Sequence, residues 1–542
     1  MMFIRTTVPR IAATLLLALG LTGTAGPAAP AADAPGTKGL NSVVPAPESV
    51  EPDADASFTL SEDTRIQFGG QGRQGKEAKQ IAGHLAGLLR PSTGYDLPVT
   101  TASGARDDVI VLSLGGADHS LGDEGYRLTV SHDRTELHAA APAGLFHGVQ
   151  TLRQLLPPEV ESKDEQKGPW TVPGGTITDK PRYAYRGSLL DPARHFLSVA
   201  QVKRYINQLA AYKINYLSLH MTDDQGWRIQ IDSWPNLTKH GASTDGDHGP
   251  GGFYTKADYQ EIVRYAQSRF ITIVPEIEMP GHVGAALSSY AELNCSGVAP
   301  PMLEVPGEID SLCVDKEVTY RFIDDVVREV AAITPGPYLH IGADEAYGTK
   351  LEDYRTFTDR AQAIVAKHGK TVIGWHELAK GQPTEGTMLQ YWGTEDGTYP
   401  PPADKEKVAA AAQAGTKLIM SPADRTYLDM KYSKDTESGL DWAGYTEVRD
   451  SYDWDPATAV EGAPASATYG VATALWGETV DTNRQMDYLT FPRLPAVAEV
   501  GWSAAKTHDW PSFRERLAAQ GPRWDAQQIY YYHSSQVPWP NK

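Results

Sequence analysis

Two adjacent carboxylates, Asp344 and Glu345, follow the short run Tyr338-Leu339-His340-Ile341-Gly342-Ala343. Leu339 and Ile341 alternate as the buried positions of a strand do, so the run reads as a strand that ends in a pair of acids. Acids delivered together to one end of a sheet can divide their labour: one gives up a proton while the other stays charged. Glycosidic-bond cleavage needs that division. An isolated Asp-Glu is more often a solvated pair opening a helix, because acids favour helix N-termini. Here the rest of the chain decides against the simpler reading.

The elements that must position the pair are regular. From Tyr183 onward strand and helix patterns alternate, with strands predicted over 185–190, 216–220, 272–276, 338–342, 371–375, 387–391, 417–421 and 471–475. Amphipathic helices are predicted between them, over 200–212, 257–270, 318–333, 354–368 and 405–414. Eight such units in about 350 residues predict an α/β fold of the (β/α)8 (TIM) barrel type, here spanning 180–535. The alternative is an open doubly wound sheet; its dinucleotide-binding version wants a glycine-rich phosphate loop after an early strand, and none is present.

A smaller α/β domain is predicted over 41–173, with strands at 58–68, 109–114, 126–131 and 137–141 and helices at 77–90 and 143–155. The charged stretch 159–167 and the Gly174-Gly175 pair read as a hinge to the barrel. Residues 1–36 read as an export signal and linker: Arg5 and Arg10, then the apolar run 11–21, too short to span a bilayer, then small residues. An exported chain meets an oxidising compartment. Cys295 and Cys313, the two cysteines of the sequence, are therefore expected to pair, against the alternative of two buried thiols.

In such a barrel, chemistry gathers at the C-terminal strand ends. Those ends carry Asp191 and Arg194; Asp223, Asp224 and Trp227; Glu276, Glu278 and His282; Asp344 and Glu345; Trp375, His376 and Glu377; Trp392; Tyr427 and Asp429; Trp476 and Glu478. Trp442 lies in the loop after the seventh strand. A purely structural barrel has no need of acids and aromatics there. Singly, each tryptophan is more often core, and Arg194 or Asp429 more often half of an ion pair. Together they suit a sugar: aromatic faces cover the C–H face of the ring, carboxylates accept from its hydroxyls, and arginine donates to them.

Other partners fit less well. The 542-residue chain has a formal net charge of -19, which argues against nucleic acid or an anionic membrane surface as a partner. His220, Asp223, Asp224 and His282 offer ligand types for a divalent ion. His220, however, belongs to its strand and is expected to point away from Asp223, and no His-x-x-x-His or His-x-His spacing occurs. No Gly-x-Ser-x-Gly elbow stands out. The expectation is no metal and no cofactor.

The motifs resemble those of the glycoside hydrolase family 20 β-N-acetylhexosaminidases. The matching pieces are Arg186-Gly187 with Asp191-Pro192-Ala193-Arg194-His195, the run from His220 to Trp227, Pro280-Gly281-His282, the run from His340 to Glu345, and Trp476-Gly477-Glu478. The small first domain is similar to the non-catalytic domain that precedes such barrels. Two positions depart: Ala343 stands where the family usually has Gly, and Glu278 where it often has Asp.

The resemblance implies an exo-acting, retaining hydrolase of terminal N-acetylglucosamine or N-acetylgalactosamine, with chitooligosaccharides among its substrates. Neighbours on one strand point to opposite sides, so Asp344 and Glu345 are not expected to face each other across a bond. Substrate-assisted catalysis does not ask them to. It implies Glu345 as general acid and base, and Asp344 as the carboxylate that holds the acetamido N–H and offsets the charge of an oxazolinium ion. The charge of Asp344 is expected to raise the pKa of Glu345. Tyr427 is implied to donate to the acetamido oxygen, and Trp375, Trp392 and Trp476 to enclose the acetamido methyl and ring face. Arg194, Asp429 and Glu478 are implied to bind hydroxyls, Asp223 and His282 to support the acids, and Trp442 to contact the next sugar.

Overall fold

The computed structural model describes residues 39–540, apart from 103–105, 116–118, 304–310, 396–397 and 400. The expected signal and linker over 1–36 lie outside the described residues. The first sheet holds β1 (Ser49–Leu60), β2 (Arg65–Gly69), β3 (Val99–Thr101), β4 (Val109–Leu114), β5 (Tyr126–Val130), β6 (Arg134–Ala139) and β7 (Trp170–Asp179). Their order is β1-β7-β5-β6-β4-β2-β3. The helices Gly72–Thr93 and Pro142–Leu155 pack on each other and on the sheet, burying Leu85, Leu89, Leu112, Leu128, Leu137, Leu145 and Leu152 in one core.

Two local expectations change here. The stretch 58–68 is not one strand. A polar turn at Ser61–Thr64 separates β1 from β2, and Asp108 ties it down by accepting from Ser61 Oγ at 2.6 Å and from Thr64 Oγ1. The Gly174-Gly175 pair is not a hinge but the middle of β7, which runs past Pro173 to Asp179. The β1–β7 register shifts between Pro52 and Ser57. A Cβ on Gly174 would stand 2.4 Å from Ala56 O, and one on Gly175 (φ +125°) 2.3 Å from Glu51 O. The glycines admit a bulged partner, and a bulge and a turn share that local signature.

The barrel closes from eight parallel strands: β8 (Tyr185–Leu190), β9 (Tyr216–His220), β10 (Thr272–Met279), β11 (Tyr338–Gly342), β12 (Thr371–Trp375), β13 (Met388–Tyr391), β14 (Lys417–Met420) and β15 (Thr468–Leu475). β15 pairs with β8 from Gly470↔Tyr185 to Leu475↔Leu190, which completes the ring. The helix Val199–Ala211 begins at a reciprocal Ser198/Gln201 capping box. At the N-terminal end of the barrel Tyr185 stacks on Tyr216 with ring centroids 4.2 Å apart. Val274, Ile373, Met388, Ile419 and Ala472 fill that layer. This end is sealed, so the opposite end is the one open to a ligand.

The small domain grips the sealed end through buried charge. Lys213 of the barrel donates to Asp179 at 2.9 Å and to Tyr126 at 3.0 Å, and Trp502 Nε1 donates to Asp179 at 3.0 Å. Arg186, at the start of β8, donates to Glu124 at 3.1 Å. Buried charges stripped of one partner are costly, so these contacts hold the two parts in one register. Cys295 and Cys313 are joined by a disulfide, as expected. No helix among the described residues is long and apolar enough to cross a membrane.

Candidate active site

β11 stops at Gly342, and the chain then leaves strand geometry. Gly342, Ala343 and Glu345 take φ of +62°, +74° and +43°. The Ala343 carbonyl is held by the Tyr354 hydroxyl at 2.6 Å. The strand rule that would send Asp344 and Glu345 to opposite sides therefore does not apply. Both line one cavity of about 280 Å³ at the open end of the barrel. The left-handed backbone at Ala343 also explains why glycine suits that position.

His282, itself at φ +52°, joins the acids. Its Nε2 lies 3.4 Å from Glu345 Oε2 and 3.8 Å from Asp344 Oδ2, and its Nδ1 lies 3.5 Å from Asp223 Oδ1. Asp223 Oδ2 also meets Arg194 at 2.8 Å and His220 Nε2 at 2.7 Å. This corrects the expectation that His220 points away from Asp223. The loop after β9 folds back through the Thr222–Trp227 bridge and the Asp223 N–H to Gly226 O bond of 2.9 Å, which returns the Asp223 carboxylate over the end of its own strand. Behind His220, Glu276 and Glu278 share one face of β10, as residues two apart must. Their oxygens lie 3.4 Å and 3.7 Å from His220 Nδ1.

Alternating charge sets the proton affinities. Burial pushes Asp223 up, but Arg194, His282 and His220 outweigh it and hold the carboxyl well below the usual range. Burial disfavours charge on His282, yet Asp223, Glu345 and Asp344 keep it well above an ordinary histidine. Burial lifts Asp344 to about 6, with His282 opposing and Glu345 adding. Glu345 moves the other way: the hydrogen bond from His282 lowers it, against burial, and Tyr347 helps. The expected rise at Glu345 is thus reversed. The His282 cation stands closer to Glu345 than to Asp344, and Glu345 is the more exposed acid, 37% against 15%. The unfavourable share of the shared burial falls on Asp344.

Of the three tryptophans expected to enclose a sugar, Trp392 and Trp476 reach the cavity and Trp375 does not. Arg194, His282, Asp344, Glu345, Trp392, Tyr427, Trp442, Trp476 and Glu478 line the cavity, joined by Tyr399 and Leu440. The Arg194 guanidinium lies 5.0 Å over Trp476, and Trp392 meets Trp442 edge-on at 5.8 Å. Trp375 is not in that lining. It is fully buried beneath Trp476, ring centroids 5.8 Å apart. Asp223 and Asp429 likewise stand behind the surface, both buried, and Asp429 is lifted to about 8 by burial and then by Glu478. Asp344 Oδ1, Asp429 Oδ2, Glu478 Oε2 and Trp375 Nε1 are buried without a hydrogen-bond partner. Of these, Asp344 Oδ1 and Glu478 Oε2 belong to residues that line the cavity, where acceptors of this kind suit hydroxyl and amide donors.

Sequence reasoning missed Tyr399, Leu440 and Tyr347, which belong to loops and not to strand ends. It noted Glu377 without a role; Glu377 accepts from Trp392 Nε1 at 3.1 Å and fixes that ring. A strand-end residue left unused was the one signal for it. Trp227, also at a strand end, donates to Ile229 O at 2.8 Å and is buried in the core.

Among the described residues three cation-sized groupings lie in or beside the cavity: His282, Asp344 and Glu345; Asp223, Asp224 and His282; and His220, Glu276 and Glu278, each with ligand atoms within 4.8 Å of one another. Arg194 and His282 offset Asp223, and burial with the neighbouring acids pushes Asp224 to about 7 and Glu278 well above the carboxylate range.

Comparison with known proteins gives the family. The pattern described as "Glycosyl hydrolase family 20, catalytic domain" matches residues 183–505, and "Glycosyl hydrolase family 20, domain 2" matches residues 41–180. A β-N-acetylhexosaminidase of Cellulomonas fimi is 40% identical over 500 residues, covering 92% of this chain and 97% of that protein. The solved GH20 β-N-acetylhexosaminidase of Streptomyces coelicolor A3(2) is 56% identical with a TM-score of 0.89, covering 93% of this chain and 99% of that one. A GH20 exo β-N-acetylglucosaminidase of Vibrio harveyi, solved with N-acetylglucosamine, is 30% identical with a TM-score of 0.77, covering 92% of this chain and 80% of that one. A barrel whose strand ends converge on these acids, preceded by the matching second domain, places the chain in glycosyl hydrolase family 20.

Proposed function

We propose that this glycoside hydrolase removes terminal, non-reducing N-acetylglucosamine or N-acetylgalactosamine from β-glycosides such as chitooligosaccharides, with retention of configuration. The observation that carries this reading is Asp344 Oδ1, buried and unpartnered in the cavity wall beside Glu345. An acetamido N–H is the donor it lacks. With the N–H held there, the acetamido oxygen is turned toward its own anomeric carbon.

The steps balance within substrate and side chains. Glu345 Oε2 gives its proton to the glycosidic oxygen as the C1–O bond breaks. The acetamido oxygen bonds to C1, and the ionised Asp344 offsets the positive oxazolinium ring. Water then bonds to C1, returns a proton to Glu345, and the acetamido C1–O bond opens. His282 and Glu345 form an ion pair in the structure. Exclusion of water by the sugar favours the neutral pair, which moves the proton from Nε2 to Oε2 across 3.4 Å.

The other roles follow from position. Tyr427 is held neutral, well above the usual phenol range, by burial first and Asp429 next, so it stays a donor for the acetamido oxygen. Trp392 and Trp476 face the sugar, and Trp375 closes the floor beneath them. Arg194 and Glu478, which line the cavity, take the hydroxyls of the terminal ring with Asp429 buried behind them, and Trp442 takes the next sugar. Export fits the Cys295–Cys313 bridge, which an oxidising compartment sustains.

The test is a substrate panel with and without the 2-acetamido group, run with the wild type and Glu345→Gln. Only acetamido sugars are expected to turn over, a thiazoline analogue of the intermediate is expected to inhibit, and the variant is expected to lose about a hundredfold or more in kcat. Comparable hydrolysis of glycosides lacking the acetamido group overturns the reading.

A further inference from the structure

The two oxygens of Glu345 are not equivalent. Oε2 faces His282, and Oε1 receives the Tyr347 hydroxyl at 2.8 Å. Tyr347 is placed for this by its own backbone: its N–H donates to Glu345 O at 2.6 Å, closing a three-residue turn. The turn folds the ring back over the carboxylate. Tyr347 lies outside the terminal-sugar cavity, in the adjoining groove with Ala346, Thr349, Leu351 and Glu377, and the residue is 83% exposed. Nothing in the fold needs an aromatic ring there, and the hydroxyl makes a single, specific contact.

We propose that Tyr347 is a positioning residue for the general acid: it pins Glu345 Oε1 and so leaves Oε2 as the oxygen that carries and returns the proton. The proposal rests on the acid/base reading of Glu345. A hydrogen bond to a carboxylate is about twice as strong as one to a neutral acid. The contact therefore strengthens as Oε2 loses its proton to the leaving oxygen, and stabilises the charge that develops in that step.

The groups facing Glu345 come from four loops. His282 follows β10, Arg194 follows β8, Asp344 and Tyr347 share the loop after β11, and Glu377, after β12, faces Tyr347. His282 and Arg194 favour the anion through charge, and Asp344 opposes it. Tyr347 alone acts through a neutral hydroxyl, which makes its share separable.

Tyr347→Phe removes the hydroxyl and keeps the ring, at an exposed site where folding is not at stake. Removing a donor to a carboxylate raises its pKa. The alkaline limb of kcat, which reports the sugar-bound enzyme in which Glu345 carries the proton, is expected to move up by about half to one pH unit, with kcat on an unactivated N-acetylglucosaminide falling about fivefold to tenfold. KM is expected to stay near wild type, because the terminal-sugar cavity is untouched. An aryl glycoside with a good leaving group needs less protonation and is expected to lose less. An alkaline limb and an unactivated kcat both equal to wild type overturn the proposal. Glu345→Gln, run in parallel, separates the two failures. If it is inert while Tyr347→Phe is normal, only the tyrosine assignment falls; if it stays fully active, the acid assignment falls and takes this one with it.

Discussion

Asp344→Asn is expected to give up activity and gain stability. Burial is the largest influence on this carboxyl and lifts it to about 6; His282 opposes the lift, while Glu345 and Glu276 add to it. In the unfolded chain an aspartate titrates near 3.9. A folded value above the unfolded one means that the native state holds the proton more tightly. That contribution favours the fold below about pH 4 and is lost as the pH rises through about 6. A difference of about two in pKa corresponds to about 3 kcal/mol, and a side chain 15% exposed is little screened. At neutral pH the native protein thus carries an ionised acid that its surroundings resist. An amide removes that cost. With about 2.1 cal/mol/K of unfolding entropy per residue, about 3 kcal/mol across a chain of this length raises Tm by about 3 °C. Thermal unfolding of both proteins at about pH 7.5 and about pH 4 reads the effect directly, since it should be present at the first and absent at the second. Hydrolysis should fall about a hundredfold or more, because a neutral amide does not offset an oxazolinium charge. An Asn variant no more stable than wild type at neutral pH, or a gain that persists in acid, refutes the reasoning.

Two further substitutions probe the frame around the acids. Arg194→Lys exchanges a fork that reaches Asp191 at 2.9 Å and Asp223 at 2.8 Å while lying over Trp476 for a single ammonium. The expected loss in kcat/KM is about tenfold to a hundredfold with a raised KM, and unchanged constants would remove Arg194 from hydroxyl binding. Gly342→Ala puts a methyl 1.6 Å from Glu278 Oε2 at a φ of +62°, so Glu278 must swing away from His220. The expected cost is about 2 kcal/mol or more, read as a lower denaturant midpoint, and a wild-type midpoint would show that Glu278 moves freely.

Much of the frame was legible because it is local. Leu339 and Ile341 alternate within five residues, and the same period marks each barrel strand. Once the strands were counted, the strand ends followed, and with them Arg194, Trp392, Tyr427, Trp476 and Glu478. The errors were also local signals with two causes. Gly174-Gly175 reads as a hinge and is a bulge partner, because glycine answers any demand for close approach. The stretch 58–68 reads as one strand because the four-residue turn inside it is closed by the distant Asp108.

The sequence by itself determined which acids arrive at the open end of the barrel, since strand periodicity and strand order are written in neighbouring residues. Only the tertiary structure decided what those acids do with a proton. It took Asp344 and Glu345 out of strand geometry, set His282 nearer to Glu345, and raised Asp344 where the charge order alone argued for raising Glu345. Proton affinity depends on burial and on charges from other loops, separated by scores of residues along the chain and by a few ångströms in space.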